Sequence, residues 1–108
     1  LNNLLVIFDI NRYQQTGSTD EISNNLNWEK FINSLGCEFF EILSGNNHPS
    51  INKVLQHIKS IKSNTVQVIC AHTIKGAGIP FMENDNSWHY GALTEDKYKE
   101  AINLLDTK

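Results

Sequence analysis

Apolar and polar positions alternate along this chain in two different periods. Leu4-Leu5-Val6-Ile7-Phe8 is a continuous apolar run closed by Asp9, which predicts a strand over 4–9, buried on both faces of a parallel sheet. A polar stretch follows from Asn11 to Thr19, with Gly17 as its turn point. Trp28, Phe31, Ile32 and Leu35 then fall at helical spacing, and Gly36 offers a left-handed stop. Cys37 to Leu43 predicts a second strand, ending in the loop Ser44-Gly45-Asn46-Asn47. Pro49 and Ser50 open the clearest helix, where Ile51, Val54, Leu55, Ile58 and Ile61 form one stripe. Thr65 to Ala71 predicts a third strand. A long loop runs from His72 to Leu93, and a last helix starts at Thr94 with Glu95 and Asp96 in its first turn. Strands separated by helices give the expected class: α/β, a parallel sheet flanked by helices.

Composition narrows the function classes. The chain has 108 residues and a net charge of −3, with 40% hydrophobic and 19% charged residues, which suits one globular domain. That charge sets up no field for nucleic acid, so no nucleic-acid partner is expected. The longest apolar run is far short of the ~20 residues needed to span a bilayer, and no membrane partner is expected either. Cys37 and Cys70 lack metal-ligand spacing and sit in strand-like segments, which predicts buried free thiols in a reducing cytoplasm. The chain begins at Leu1, not Met. Residues 1–108 are therefore expected to be a single, truncated domain segment of a longer protein.

In open parallel sheets, ligands bind beyond the carboxyl ends of the strands, and the loops there carry unusual residues. Gly76-Ala77-Gly78 beside Lys75 suggests either an anion cradle or a plain turn leaving the third strand; the two stand about even. Asn11, close to Asp9, is suited either to a hard cation such as Mg²⁺ or to capping its own turn. A zinc site from His48, His72 and His89 would need three loops to converge. His57, within the clearest helix, is expected to face solvent.

Four segments, taken together and in order, carry a resemblance. Asn3 to Asn11 with Gly17 is similar to a strand ending in D-x-N and followed by x₅-G. Leu43-Ser44-Gly45-Asn46-Asn47-His48 resembles V-D-G-H-D, and His72-Thr73-Ile74-Lys75-Gly76-Ala77-Gly78 resembles H-T-x-K-G-x-G. Phe81-Met82-Glu83-Asn84 through Trp88-His89 resembles F-M-E-N followed by W-H-G. The whole chain thus resembles the later part of the N-terminal thiamine-diphosphate-binding domain of transketolases, especially the split bacterial subunits.

That resemblance implies a partial thiamine-diphosphate-binding fold, with thiamine diphosphate and Mg²⁺ as cofactors. It implies a transferase moving a two-carbon ketol unit between sugar phosphates. Asn11 would give its side-chain oxygen to the metal and Tyr13 its backbone carbonyl, while Asp9 ends the strand and orients the loop. His89 matches the histidine that approaches the diphosphate and the substrate hydroxyls, and would be the catalytic residue. His72 and Lys75 would share the anionic pocket with Asn11 and His89. The family's G-D-G, with its anionic metal ligand, would lie upstream of residue 1. The family also uses a carboxylate from a pyrimidine-binding domain or subunit, so a homo- or hetero-oligomer is expected and the isolated segment is expected to be inactive.

Two departures mark this chain. Tyr90 stands between His89 and Gly91 where the family reads His-Gly, and Ser44, Asn46 and Asn47 replace a D-x-H-D pattern. Both point to a divergent donor–acceptor pair. Other readings are another thiamine-diphosphate enzyme component, of deoxyxylulose-phosphate synthase or 2-oxo-acid dehydrogenase type, and a non-catalytic structural remnant.

Overall fold

The computed structural model describes residues 3–22 and 26–106. The first strand, β1 (Leu5–Ile10), leads into a short hairpin of β2 (Tyr13–Gln14) and β3 (Gly17–Ser18). Two helices follow, α1 (Thr19–Ile22) and α2 (Trp28–Ser34), and then β4 (Glu38–Ile42). Helix α3 (His48–Ser60) joins β4 to β5 (Gln67–His72). A single 3₁₀ turn (Asn86–His89) and α4 (Glu95–Asp106) come last. Strands β1, β4 and β5 form a parallel sheet in the order β1-β5-β4. The expected α/β class and all three expected strands are present, within a residue or two at their ends.

Local chemistry sets the starts of α2, α3 and α4 and the end of α2. The Asn27 side chain accepts the Lys30 N–H at 2.9 Å and caps α2. Gly36, at φ 72°, takes the left-handed conformation expected after that helix. The Asn47 carboxamide accepts the Ser50 N–H at 2.9 Å and caps α3, with Pro49 in the first turn, where a missing N–H costs nothing. The Thr94 hydroxyl accepts the Lys97 N–H at 3.3 Å at the start of α4.

Side chains alternate across β5, and the alternation builds two cores. Ile69 and Ala71 face α3 and pack with Ile42 and Ile58, flanked by Ile51, Val54 and Leu55 from the expected stripe. Val68 and Cys70 face α2 and pack with Ile32, flanked by Trp28, Phe39 and Cys37. One expectation about a single residue needs correction. Cys70 is buried, but Cys37 is only half-buried, because it precedes β4 at the open end of the sheet. His57 is exposed as expected, yet its ring also meets the edge of Phe40, with centroids 6.0 Å apart.

Because β5 inserts between β1 and β4, the chain crosses one face of the sheet through α2 and the other through α3. Loops leaving neighbouring strands therefore diverge, which opens a crevice above their carboxyl ends.

Candidate functional site

A cleft of about 500 Å³ lies at that position. Asn11 and Arg12 line it from the end of β1, Ser44 to Asn47 from the end of β4, and His72 to Ile74 from the end of β5. Backbone bonds hold the three loops together. The Thr73 N–H donates to the Ile10 carbonyl at 3.2 Å, and the Gly45 N–H to the His72 carbonyl at 2.7 Å. A Cβ at residue 45 would sit 2.7 Å from both the His72 oxygen and Thr73 Cγ2, so this close crossing requires glycine. The Asn46 carboxamide accepts the Ile74 N–H at 2.7 Å. The Thr73 hydroxyl donates to the Asp9 carboxylate. Asp9 thus orients the loop after β5.

Asn11 makes the turn that opens the cleft. Its Oδ1 accepts the Tyr13 N–H at 2.9 Å, and the Thr19 N–H donates to the Arg12 carbonyl at 2.8 Å. Between them Arg12 is held at φ 66°, a left-handed conformation that costs a non-glycine residue about 1–2 kcal/mol. Of the two readings of Asn11, turn capping is realised. A carboxamide oxygen has two lone pairs, so capping leaves one for a cation. Neutral oxygen donors suit Mg²⁺, which binds through few protein ligands and takes much of its counter-charge from phosphate. No group of three or more His, Cys, Asp or Glu side chains is placed to hold a metal among the described residues. The donors present therefore fit the protein side of a diphosphate-bound cation, and they do not assemble the three-histidine zinc site.

The remaining site residues are distributed. His72 lines the cleft, and its Nε2 lies 2.9 Å from Glu41 Oε1 on β4. This pair is 31% and 43% exposed, so it orients the ring more than it stabilises the fold. Tyr13, Lys75 and His89 do not line the cleft. Lys75 is half-buried, and its carbonyl accepts the Asn84 N–H at 3.0 Å. Asp85 is held below the usual carboxylate value, chiefly by hydrogen bonds from Ser87, with Lys75 adding a smaller attraction. His89 is exposed at the end of the 3₁₀ turn, where the Tyr90 ring meets it edge-on with centroids 4.6 Å apart.

The glycine segment is a turn, and that alternative prevails over the anion cradle. The Ala77 N–H donates to the Ile74 carbonyl, the Ile79 N–H to the Gly76 carbonyl, and the Gly78 N–H to Glu83 Oε1 at 2.9 Å. These donors are spent within the loop. Gly76, at φ 72°, packs against the Met82 backbone, where a Cβ would not fit. Further along, Trp88 Nε1 donates to the Phe81 carbonyl at 3.0 Å, and Gly91 sits against the Trp88 ring.

Arg12, Asn46 and Asn84 also line the cleft, beyond the site residues that the sequence points to. Arg12 and Asn46 carry one signal in the sequence, their position shortly after a strand end, whereas Asn84 lies twelve residues beyond β5 and has none of that kind; in the structure Arg12 and Asn84 both stand at positive φ.

Residues 1–106 match the family model of the transketolase thiamine diphosphate binding domain. The chain belongs to the transketolase family. It is 34% identical over 106 residues to one subunit of the apulose-4-phosphate transketolase of Actinobacillus succinogenes, covering 97% of this chain and 37% of that protein. To the subunit of the same name from Phocaeicola vulgatus it is 29% identical over 104 residues, covering 94% of this chain and 36% of the other. The transketolase structure from Campylobacter jejuni superposes with a TM-score of 0.83 at 28% identity, over 97% of this chain and 16% of that one. This transketolase-family chain therefore spans little more than a third of those two relatives. No helix among its described residues is long and apolar enough to cross a membrane.

Proposed function

We propose that this chain belongs to one half of a split transketolase and forms part of a site for thiamine diphosphate and Mg²⁺. The observation that carries the reading is Asn11: its carboxamide stands at the carboxyl end of β1, on a cleft shared by all three parallel strands, in a cofactor-binding-domain family. Asn11 Oδ1 and the Tyr13 backbone carbonyl would hold the ion. When bound, the cofactor's thiazolium supplies the carbanion stabilisation that ketol transfer between sugar phosphates needs. The protein's part is placement. His72, on the cleft, would donate to the diphosphate, and Lys75, outside the cleft, would add positive charge to the anionic site. His89 exchanges protons with substrate hydroxyls, a role open to an imidazole at neutral pH. The required carboxylate comes from a pyrimidine-binding partner in a cytoplasmic oligomer, so the 108 residues alone carry out no ketol transfer.

Calorimetry on the native protein tests the metal role. Thiamine diphosphate binding is expected to require Mg²⁺, and Asn11→Ala to weaken it by roughly 1.5–3 kcal/mol, the worth of one charge-assisted contact. Metal-independent binding, or an unchanged affinity in the variant, refutes it. For His89→Ala, turnover in the assembled enzyme should fall further than cofactor affinity does; unchanged turnover removes His89 from the reaction.

A further inference from the structure

We infer that Tyr13 is a positioning residue whose phenol couples the proposed metal turn to the segment that carries His89. The inference rests on the cofactor reading above and extends it to a residue's side chain. Tyr13 belongs to both regions at once. Its N–H caps Asn11, and its backbone carbonyl is the proposed ligand. Its hydroxyl donates to the Asn84 carbonyl at 2.6 Å, across 71 positions of sequence.

A second bond runs alongside, from Asn86 Nδ2 to the Gln15 carbonyl at 3.3 Å. Both bonds join the hairpin turn to residues 84–86, immediately before or within the start of the 3₁₀ turn that ends at His89. That turn is capped at its start, where the Asp85 carboxylate accepts the Ser87 N–H at 2.9 Å. A displacement of Asn84 is therefore passed to His89 through a hydrogen-bonded turn and not through slack chain. A tyrosine ring suits the coupling, having two side-chain torsions before its ring and hydroxyl. The joint also holds an unsaturated acceptor: Asn86 Oδ1 is buried with no partner among the described residues. Buried carboxamide oxygens are normally paired, which marks Asn86 as an exception at this joint.

In this arrangement a cation drawn to Asn11 and the Tyr13 carbonyl orders the His89 segment as well, although His89 does not line the cleft. The two segments are joined by a pair of hydrogen bonds, Tyr13 to Asn84 and Asn86 to Gln15.

Tyr13→Phe separates the two roles, because it keeps the ring and the backbone carbonyl and deletes only the donor. Hydrogen exchange is followed by mass spectrometry on the native protein, with and without Mg²⁺ plus thiamine diphosphate, for peptides covering residues 9–15 and 84–91. In the parent protein the ligands should slow exchange of both peptides, by roughly fivefold or more. In Tyr13→Phe, at ligand concentrations that saturate each protein, the 9–15 peptide should still respond, while the response of 84–91 is lost. Equal protection of 84–91 in both proteins overturns the coupling. If the ligands protect neither peptide in the parent, the cofactor reading fails. The ligand-free comparison then decides the tether: faster exchange of 84–91 in Tyr13→Phe supports it, and equal exchange overturns it.

Discussion

Strands β1 and β5 have similarly apolar sequences, Leu-Val-Ile-Phe-Asp-Ile and Gln-Val-Ile-Cys-Ala-His, yet opposite surroundings. All four central residues of β5 are buried, and Ile69 and Cys70 are 0% exposed. In β1, Ile7 is 60% exposed, and Leu5 and Phe8 are also exposed. The difference lies in position and not in propensity. β5 has a parallel neighbour on each side, α2 over one face and α3 over the other. β1 pairs only with β5 among the described residues, and α3 packs over β4 and β5. An apolar run thus states what a strand would bury, while its neighbours decide whether it does.

The largest expected effect follows from deleting a side chain at the centre of β5. Ile69→Ala should cost about 2–5 kcal/mol of unfolding free energy, because the site has neighbours on every side and cannot collapse. Chemical denaturation measures it, and a loss below about 1 kcal/mol would mean that β5 is not the core strand.

Next comes a pH effect confined to the same strand. Burial, with a smaller contribution from Glu41, pushes the Cys70 thiol from 9.0 up to about 11. Below pH 9.0 the thiol is protonated whether the chain is folded or not, so its contribution is undiminished there. As the pH rises towards 11, the unfolded chain loses the proton first and stability falls, by at most roughly 2–3 kcal/mol. Stability curves for the parent and Cys70→Ala should converge over that window, and parallel curves would show that the thiol is not buried as described.

The smallest effect belongs to β1. Ile7→Ala should cost under about 1 kcal/mol, since most of its side chain is already in contact with solvent. A cost equal to that of Ile69→Ala would mean that another surface covers β1 in the native protein.

Much of the secondary structure is legible in the sequence because its signals are local. Ile51, Val54, Leu55 and Ile58 recur at helical spacing and all reach the α3 core, while Gly36 stops α2 at positive φ. The hairpin at Tyr13–Ser18 has no such signal, because four paired residues leave no period to detect and the segment predicts only a polar loop. The site is legible in part. The placing of Asn11 and His72 at strand ends follows from the strands themselves. That Lys75 and His89 stand outside the cleft does not, because the path from 73 to 90 is set by bonds between distant residues. Tyr13 to Asn84 and Asn86 to Gln15 are two of them.

Periodicity, caps and turn residues, acting over a few neighbouring positions, determined that this chain forms parallel strands joined by helices, and its ordered motifs determined its family. The strand order β1-β5-β4 belongs to the tertiary structure alone, since burial depends on what lies beside a strand. So do the exposure of β1, the closure of the glycine turn on itself and the meeting of Tyr13 with Asn84. Those contacts join segments that sequence spacing does not relate, and the fold's packing alone chooses between them.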